Sequence, residues 1–404
     1  MRILNSALAA LSLATLAVAG EVEKTNLFQA KKAGYALYRI PCVTVTSKGT
    51  VLVACEARKS EKGDWGHIDL LLRRSADGGK NFSPPVKLPM PQGKFERNPA
   101  AIKQGLGKDG DVTLNNPVLI SGGDGKVHFL FCVEYMRCFY SQSNDDGVTF
   151  STPVEITQAL EPIREKYHWI VCATGPGHGI QTKKGRLIVP VWLSRGTGGH
   201  AHRPSSITTL YSDDQGKTWA AGDLIAGEAD PLGQEKEPFI NPNETTAVEL
   251  ADGRVMLNIR SESKVHQRAA AYSANGATGW TEPAFVPSLT EPICFGSLER
   301  LPVKKGGREL LLFSHPDNLA KAKGEGKPGQ GRDRKNLSLH ASDDVGVNWK
   351  LALIIEKGAS AYSDLAVLPD GAILCFYENG GSKDYAYEFL TLARIPPLAL
   401  ILLK

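Results

Sequence analysis

The sequence predicts an all-β fold, a six-bladed β-propeller built from four-stranded antiparallel blades. Three observations predict it: an eight-residue turn recurs at nearly fixed spacing, strand-like segments precede and separate its copies, and no segment shows sustained helical periodicity. Radial blades around an axis let many short antiparallel strands avoid exposed edges. The 404 residues less the first 19 leave 385, which a period of about 65 residues divides into about six units.

The repeated turn begins with Ser and ends in Phe or Trp. Its four full copies and one divergent fifth copy are Ser75–Phe82, Ser143–Phe150, Ser212–Trp219, Ser342–Trp349 and, divergent, Ser273–Trp280. In chain order the copies begin 68, 69, 61 and 69 residues apart, which indicates a repeat architecture. We expect Asp or Asn at the third position to accept hydrogen bonds from backbone N–H groups two or three residues later, and Gly to provide a positive φ. The closing aromatic ring is expected to fold back onto the hairpin.

Strands are predicted before the turns and between them. The segments are Ile68–Arg74, Ile207–Tyr211, Leu337–Ala341, Val51–Ala54, Val127–Val133, Leu187–Val191, Arg254–Ile259, Leu310–Phe313 and Ala372–Tyr377. Alternating polarity and β-branched or aromatic residues favour strands, and Gly-bearing turns next to them favour hairpins. The apolar segment Ile395–Leu403 is expected to form a closing strand.

The first residues have the pattern of a secretory signal peptide. A positive charge at Arg2 precedes an apolar run, and Ala17 and Ala19 satisfy the small-x-small cleavage rule. The run is too short to span a membrane. We therefore expect residues 1–19 to be removed and residues 20–404 to form one secreted or periplasmic domain without a membrane span.

Composition restricts the partners and the redox chemistry. A net charge of +4 is too small to indicate nucleic-acid binding. The seven cysteines show no CxxC spacing, and their odd number and apolar neighbours favour buried thiols. A Cys132–Cys138 bridge across a hairpin stays open as an alternative. The basic, Gly-rich segment Lys321–Lys335 is interpreted as a loop.

Three arginines lie at strand edges in different predicted blades. They are Arg39 in the segment Tyr38–Pro41, Arg260 after a strand, and Arg334 before one. A closed ring brings such positions together at its axis. The planar guanidinium group binds a carboxylate through two parallel hydrogen bonds. Three such groups would repel one another unless an anion lay between them; the alternative is three separate solvated or salt-bridged arginines.

Three further residues are candidates for chemistry. Asp64 lies in a Gly-flanked loop that could carry an acid over a cleft. Glu244 opens the strand whose hairpin partner carries Arg260, and Tyr362 begins a strand of the last blade. Each of them alone is compatible with an ordinary turn, strand-end or core position.

Together these residues resemble the bacterial exo-α-sialidases over nearly the whole mature chain. The matching segments are Tyr38–Pro41, Glu56–Asp69, Gly175–Gly179, Asn243–Ser261, Cys294–Ser297, Arg334–Leu337 and Ala361–Ser363. The repeated turns correspond to the family's Asp-boxes, which are weak signals because many non-catalytic propellers contain them. The ordered set of three Arg, an Asp, a Glu and a Tyr is specific.

The resemblance implies how a sialoside would be bound. Arg39, Arg260 and Arg334 would bind the carboxylate of sialic acid, and Arg58 would lie near the 4-hydroxyl group. Asn116 would also contact the substrate, although related sequences often have Asp at this position.

The resemblance also implies a mechanism. Tyr362 would be the nucleophile, Glu244 its general base and Asp64 the acid/base. Sialidases with a Tyr nucleophile depart from the two-carboxylate rule of glycosidases, since a neutral phenol approaches an anomeric carbon bearing a carboxylate without charge repulsion. Phe295 stands where a polar residue, often Gln, is expected, so this wall of the site is predicted to be less polar.

Other features are weaker. Trp65, Trp169 and Trp192 are candidates for an N-acetyl pocket, although each suits the core better. His200 and His202 lack a recognisable third ligand, so we expect no metal and no cofactor.

The sequence thus predicts a secreted, monomeric exo-α-sialidase that hydrolyses terminal sialic acids of glycoproteins, glycolipids and oligosaccharides with retention. Two alternatives stay open. One is a carbohydrate-binding propeller that has lost catalysis. The other is a related enzyme that acts on a different 2-keto acid sugar or transfers sialic acid to acceptor sugars.

Overall fold

The computed structural model is an all-β structure of antiparallel sheets. It describes residues 21–197, 199–225, 239–301, 310–320 and 333–397. The predicted signal peptide, residues 1–19, lies outside these ranges. Residues 321–332 of the predicted basic loop also lie outside them. In the described part of the chain, no helix has the length and apolar character needed to cross a membrane.

The strands are short and follow one another along the chain. The first half comprises β1 (Glu23–Gln29), β2 (Leu37–Val45), β3 (Val51–Arg58), β4 (Ile68–Ser75), β5 (Val86–Lys87), β6 (Leu114–Ser121), β7 (Val127–Val133), β8 (Arg137–Ser143), β9 (Val154–Glu155), β10 (Val171–Thr174), β11 (Ile180–Gln181) and β12 (Leu187–Ser194). The second half comprises β13 (Ser205–Ser212), β14 (Ala220–Ala221), β15 (Thr245–Glu249), β16 (Val255–Ile259), β17 (Gln267–Ser273), β18 (Ala284–Thr290), β19 (Ser297–Leu301), β20 (Leu310–Pro316), β21 (Lys335–Ser342), β22 (Lys350–Val367), β23 (Ile373–Asn379) and β24 (Phe389–Ile395). The helical segments are α1 (Pro99–Lys103), a 3₁₀ turn (Thr157–Leu160) and α2 (Glu161–Arg164).

The strands form five sheets in which sequential strands are neighbours. Three sheets have four strands, β2–β5, β6–β9 and β15–β18, and a fourth has the order β10-β12-β13-β14 with β11 added to β12. The fifth has seven strands in the order β1-β24-β23-β22-β21-β20-β19. Its central strand, β22, pairs with β21 over its first part and with β23 over its last part. Hydrophobic clusters fill the spaces between adjacent sheets.

The predicted closing strand at Ile395–Leu403 lies mostly outside the described residues, and of its three described residues only Ile395 is in a strand. β24 ends at Ile395, and residues 398–404 lie outside the described ranges. The prolines at 396 and 397 have no N–H group and cannot extend the ladder. The strand that pairs with β24 comes instead from the opposite end of the chain, since β1 pairs Glu23 with Arg394.

The repeated turns adopt one geometry in their four full copies. In the second copy, Ser143 Oγ donates to Asp145 Oδ1 at 2.7 Å and accepts from Gly147 N at 2.8 Å, and Gly147 has a φ of 76°. The prediction of the Asp's backbone donors was partly wrong, because its main donor is the N–H four residues on, that of Thr149 at 2.9 Å. In the first copy Asp77 also accepts from the N–H of Lys80, three residues on, at 3.2 Å, and in the divergent copy Asn275 accepts from N–H groups two and three residues on.

The cysteines are free and buried, as the sequence predicted. Cys132 and Cys138 face each other across β7 and β8 with their Sγ atoms 3.2 Å apart, as two thiols rather than a disulfide. Trp169 is fully buried within a hydrophobic cluster and is a core residue.

Candidate active site

The predicted site residues from distant parts of the chain lie around one pocket. The cavity volume of this pocket is about 90 Å³. The lining includes Arg39, Asp64, Asn116, Tyr135, Trp192, His200, His202, Asn243, Glu244, Arg260, Glu262, Arg334 and Tyr362. Arg58 completes the set through its contact with Asp64.

Arg39 reaches the pocket from β2, and Glu378 holds its guanidinium group in place. Its Nε and Nη2 atoms donate to Glu378 Oε1 and Oε2 at 2.8 and 3.2 Å, and its Nη1 lies 3.8 Å from Asp64 Oδ1. Glu378 also accepts from the backbone N–H of Ile40 and of Tyr362. The fully buried carboxylate therefore fixes a guanidinium group and a backbone turn together.

Sequence reasoning missed Glu378. Tyr377 and Glu378 are adjacent in β23 and therefore face opposite sides of the sheet. The same alternation was the available signal, because one of the two had to face the inside. The structure shows that it is Glu378.

Arg260 connects two other predicted residues. It follows β16, and its Nη1 atom contacts both Glu244 Oε2 and Tyr362 Oη, the latter at 2.8 Å. Glu244 lies on the neighbouring strand edge before β15, where the hairpin brings it next to Arg260. The ion pair thus lies against the phenol.

Arg334 differs from the other two arginines. Its Nη1 donates to Tyr387 Oη at 2.7 Å and its Nη2 to the carbonyl of Ile293 at 2.8 Å. Among the described residues no carboxylate lies within ion-pair distance of it, and its Nε has no hydrogen-bond partner. A half-buried cation without a counter-ion is costly, so this side of the pocket attracts an anion.

Tyr362 lies at the centre of the three arginines. Its Oη donates to Glu244 Oε1 at 2.6 Å, and the Cζ atoms of Arg39 and Arg334 lie 5.1 and 5.0 Å from its ring centroid. Burial raises the pKa of the phenol, while the charge of Arg260 opposes that shift. In the ligand-free pocket Tyr362 is therefore a neutral phenol whose proton points at a carboxylate.

Asp64 faces this group from the loop between β3 and β4. Its side chain is 39% exposed, and its Oδ1 accepts from Arg58 Nη1 at 2.9 Å. Arg58 is in turn held by Glu56, whose Oε2 accepts from Arg58 Nε at 2.8 Å. Burial raises the pKa of Asp64, but the charges of Arg58 and Arg39, joined in acid by that of protonated His202, outweigh it and hold that pKa well below the usual value.

Aromatic rings form another wall of the pocket. Trp192 and Tyr135 line it, and Trp65 packs behind them with its ring 4.6 Å from Tyr135 and 4.9 Å from His202. Burial lowers the pKa of His202 to about 4, so the imidazole is neutral near pH 7. His200 and His202 belong to no group of three metal-binding side chains in the described part of the chain.

Two positions depart from the family pattern. Asn116 lines the pocket but its Nδ2 donates to the carbonyl of Thr174 at 2.9 Å, and its φ is 54°. Phe295 is fully buried with its ring 5.8 Å from that of Tyr362, and it packs against Gly177 rather than lining the pocket. The expectation of a less polar wall at Phe295 was therefore wrong, because the ring supports the Tyr362 ring from the core side.

These features define an anion-binding pocket on an all-β repeat scaffold. Comparison with known proteins gives the family: residues 98–375 match the BNR repeat-like domain. The chain is 28% identical over 364 residues to a sialidase of Bacteroides fragilis, covering 85% of this chain and 60% of that protein. It is 26% identical over 381 residues to a sialidase of Micromonospora viridifaciens, covering 88% of this chain and 52% of that protein. The chain thus spans less than two thirds of these two relatives.

Solved structures agree in fold. The Hadza microbial sialidase Hz136 superimposes with a TM-score of 0.73 at 23% identity, covering 94% of this chain and 69% of that one. The chain therefore belongs to the BNR repeat-like domain family, and its resemblance to the bacterial exo-α-sialidases is confirmed.

Proposed function

We propose that the protein is an exo-α-sialidase that releases terminal sialic acids from glycoproteins, glycolipids and oligosaccharides with retention of configuration. One observation carries the proposal. Arg39, Arg260 and Arg334 surround a phenol that donates to Glu244, and Arg334 has no carboxylate partner among the described residues. This arrangement supports recognition of an acidic sugar next to a nucleophile.

The carboxylate of the sugar would bind the arginine cluster. Arg334 contributes an uncompensated charge, and Arg39 retains Nη1 for the ligand because Glu378 uses its other two nitrogens. Anchoring at this point orients the anomeric carbon towards Tyr362 before any bond changes. The positive charge also stabilises the phenolate oxygen as it develops.

Tyr362 would then act as the nucleophile. Glu244 accepts the phenol proton across the 2.6 Å hydrogen bond while the Tyr362 oxygen bonds to the anomeric carbon. The bond from that carbon to the leaving oxygen breaks, and Asp64 supplies the proton that this oxygen needs. Asp64 next deprotonates water, which displaces Tyr362, and Glu244 returns its proton. Two inversions give retention.

Asp64 must be protonated to begin, although Arg58 and Arg39 keep it ionised in the free pocket. A bound carboxylate would compete for Arg39 and exclude water from the carboxyl group. Both changes raise the pKa of Asp64. Substrate binding therefore prepares the acid.

The finer architecture and location are part of the same proposal. We infer six blades, because the first part of β22 pairs with β21 and so joins β19–β21, while its last part pairs with β23 and so joins β23, β24 and β1. Each part completes a group of four strands. The signal-peptide pattern supports export to the periplasm or medium, and we propose that the exported protein is a monomer.

A fluorogenic α-sialoside tests the activity. Wild-type protein is expected to hydrolyse it, and Tyr362→Phe and Asp64→Ala to reduce kcat by about a thousandfold. Matched controls are Tyr377→Phe, which alters a neighbouring buried phenol on the opposite face, and Asp109→Ala, which alters an exposed acid. Both controls should retain activity.

The competing functions give different results. Binding of the sialoside without turnover by the wild type would favour the non-catalytic propeller. Transfer to added acceptor sugars, seen by product analysis, would favour a transglycosylating enzyme. Full activity in both Tyr362→Phe and Asp64→Ala would refute the residue roles.

A further inference from the structure

A second polar cluster lies outside the pocket, on β20 and β21. It consists of His315 and His340 together with Asp317, which follows β20. One potential ligand atom from each residue lies within 4.8 Å of the other two, and His340 Nε2 is 3.5 Å from Asp317 Oδ2. The two imidazole rings are 5.0 Å apart. The proposed mechanism uses none of these residues.

The strand register explains why these side chains meet. His315 pairs with Ser338, and His340 is two residues further along β21, so the two imidazoles are diagonal neighbours on one face of the sheet. Asp317 is fixed at the strand end by two bonds with Asn336, since its N–H donates to the Asn336 carbonyl and its own carbonyl accepts from Asn336 Nδ2. The arrangement is therefore built by the backbone.

The imidazoles are buried with most of their hydrogen-bonding capacity unused. His315 is 1% and His340 5% exposed. Within the described residues, three ring nitrogens make no hydrogen bond of good geometry: both of His315 and Nδ1 of His340. An ion pair between Asp317 and a protonated His340 would leave His315 unsatisfied. Buried polar atoms without partners indicate a missing ligand.

The carboxylate is already oriented for such a ligand. Thr290 Oγ1 donates to Asp317 Oδ1 at 2.8 Å, which leaves Oδ2 directed towards His340. The backbone of Thr290 is also a weak hydrogen-bonding partner of the His315 ring. Partners of this kind orient metal ligands in protein sites. The side chain of Asp317 is 29% exposed and provides a route from solvent.

We propose that His315, Asp317 and His340 bind one divalent transition-metal ion, with Zn²⁺ the best suited. Two imidazole nitrogens and a carboxylate oxygen are ligands that Zn²⁺ uses, and a water molecule completes four-coordination. The nearby cation Arg268 is neutralised by Glu291 at 2.5 Å and does not prevent binding. The ion would join β20 to β21, the strand that begins next to Arg334.

Metal binding to tag-free, chelator-stripped protein tests the proposal. Calorimetry and elemental analysis should find one Zn²⁺ per chain in the wild type. Asp317→Asn and His340→Gln should weaken binding about a hundredfold or more, and Thr290→Val by about tenfold, because that change only frees the carboxylate. Thermal melting in chelator shows whether each variant is folded. Asp317→Asn is the variant least expected to disturb folding, because the Asp317 side chain is partly exposed.

Two matched controls locate the ion. Cys132→Ser disrupts the other group of possible ligands, which Cys132 forms with Cys138 and Cys172. His128→Gln removes a buried imidazole that is hydrogen-bonded to Tyr140. Both should still bind one ion, and bound Co²⁺ should show no thiolate charge-transfer band. Absence of stoichiometric binding, or binding lost in Cys132→Ser and kept in Asp317→Asn, would overturn the proposal.

Discussion

The pocket and a nearby axial cluster both bury charge, but they balance it differently. In the axial cluster, defined as His178, Ser297 and Asp364, Asp364 Oδ1 accepts from His178 Nδ1 and Ser297 Oγ, each at 2.8 Å. Its Oδ2 accepts from the backbone N–H of Val43 at 2.8 Å. The pocket, in contrast, leaves Arg334 without an anionic partner among the described residues.

The difference teaches where to look for a ligand. Both clusters gather residues from several sheets, and both are largely buried. A buried charge whose partners all come from the protein stabilises the fold only if the set stays complete. A buried charge left unpaired instead costs stability that a ligand recovers. Burial alone therefore does not distinguish the two regions, whereas the completeness of their pairing does.

Breaking the axial cluster should have the largest effect on stability. Asp364→Ala leaves His178, Ser297 and a backbone N–H without their acceptor, so we expect a loss of about 3–5 kcal/mol in the free energy of unfolding. Chemical denaturation measures it. Asp370→Ala, which removes an exposed carboxylate, is the control and should cost far less. Equal losses in the two variants would contradict the distinction.

The two regions should also respond to pH in opposite directions. Burial lowers the pKa of His178, but Asp364 outweighs it and raises that pKa to about 9. Its stabilisation is therefore present below the unfolded-state pKa of about 6.5 and is lost as pH rises through about 9. Burial lowers the pKa of His202 to about 4, so its contribution is present above about 6.5 and is lost as pH falls towards 4.

Denaturation at a series of pH values measures both effects. The wild type should lose about 3 kcal/mol of unfolding free energy as pH rises through about 9, and His178→Gln should abolish this loss. The wild type should also lose stability as pH falls towards 4, and His202→Gln should abolish that loss. Each variant should leave the other limb of the stability curve unchanged. A change in the alkaline limb caused by His202→Gln would show that the assignment is wrong.

Arg334→Met sharpens the comparison between paired and unpaired arginines. We expect kcat/KM for a sialoside to fall about a hundredfold, or ~3 kcal/mol, without loss of folding stability, because no carboxylate is left unpaired. The control is Arg268→Met, since Arg268 is fully buried and paired with Glu291, whereas Arg334 is half-buried. That variant should lose stability. A large loss of stability in Arg334→Met would indicate a hidden anionic partner.

The repeated turns should show the smallest effect. Ser143→Ala removes the bonds from Ser143 Oγ to Asp145 and from Gly147 N, and we expect a loss of about 1 kcal/mol. Ser273→Ala makes the same change in the divergent turn and should cost a similar amount. Activity should not change in either variant, because these turns do not line the pocket. Loss of activity would contradict this separation.

Much of the fold could be predicted because its signals are local. The predicted strand Val127–Val133 coincides with β7, and Gly at the turn positions has the expected positive φ. The predicted closing strand Ile395–Leu403 overlaps β24 only at Ile395, and most of it lies outside the described residues. The pairing of β1 with β24 joins residues more than 350 positions apart, and no local pattern encodes such a contact.

The residues that line the pocket were predicted, but the residues that hold them in position were not. Arg39, Arg260 and Arg334 could be selected because a ring gathers strand edges and because the ordered motifs resemble a family. Glu378 and Tyr387, which hold Arg39 and Arg334, were not selected, because strand alternation alone does not say whether Tyr377 or Glu378 faces the inside and Tyr387 lies in no recognised motif.

The proposed metal site was outside the reach of sequence reasoning for a related reason. The spacing of His315, Asp317 and His340 matches no short motif, and only the register of β20 against β21 brings them together. The sequence by itself determined the repeated hairpins and the types of side chain available, because turn chemistry and strand periodicity are local. Only the tertiary structure decided which charges are paired and which are left for a ligand, because electrostatic pairing depends on distances between residues far apart in the chain.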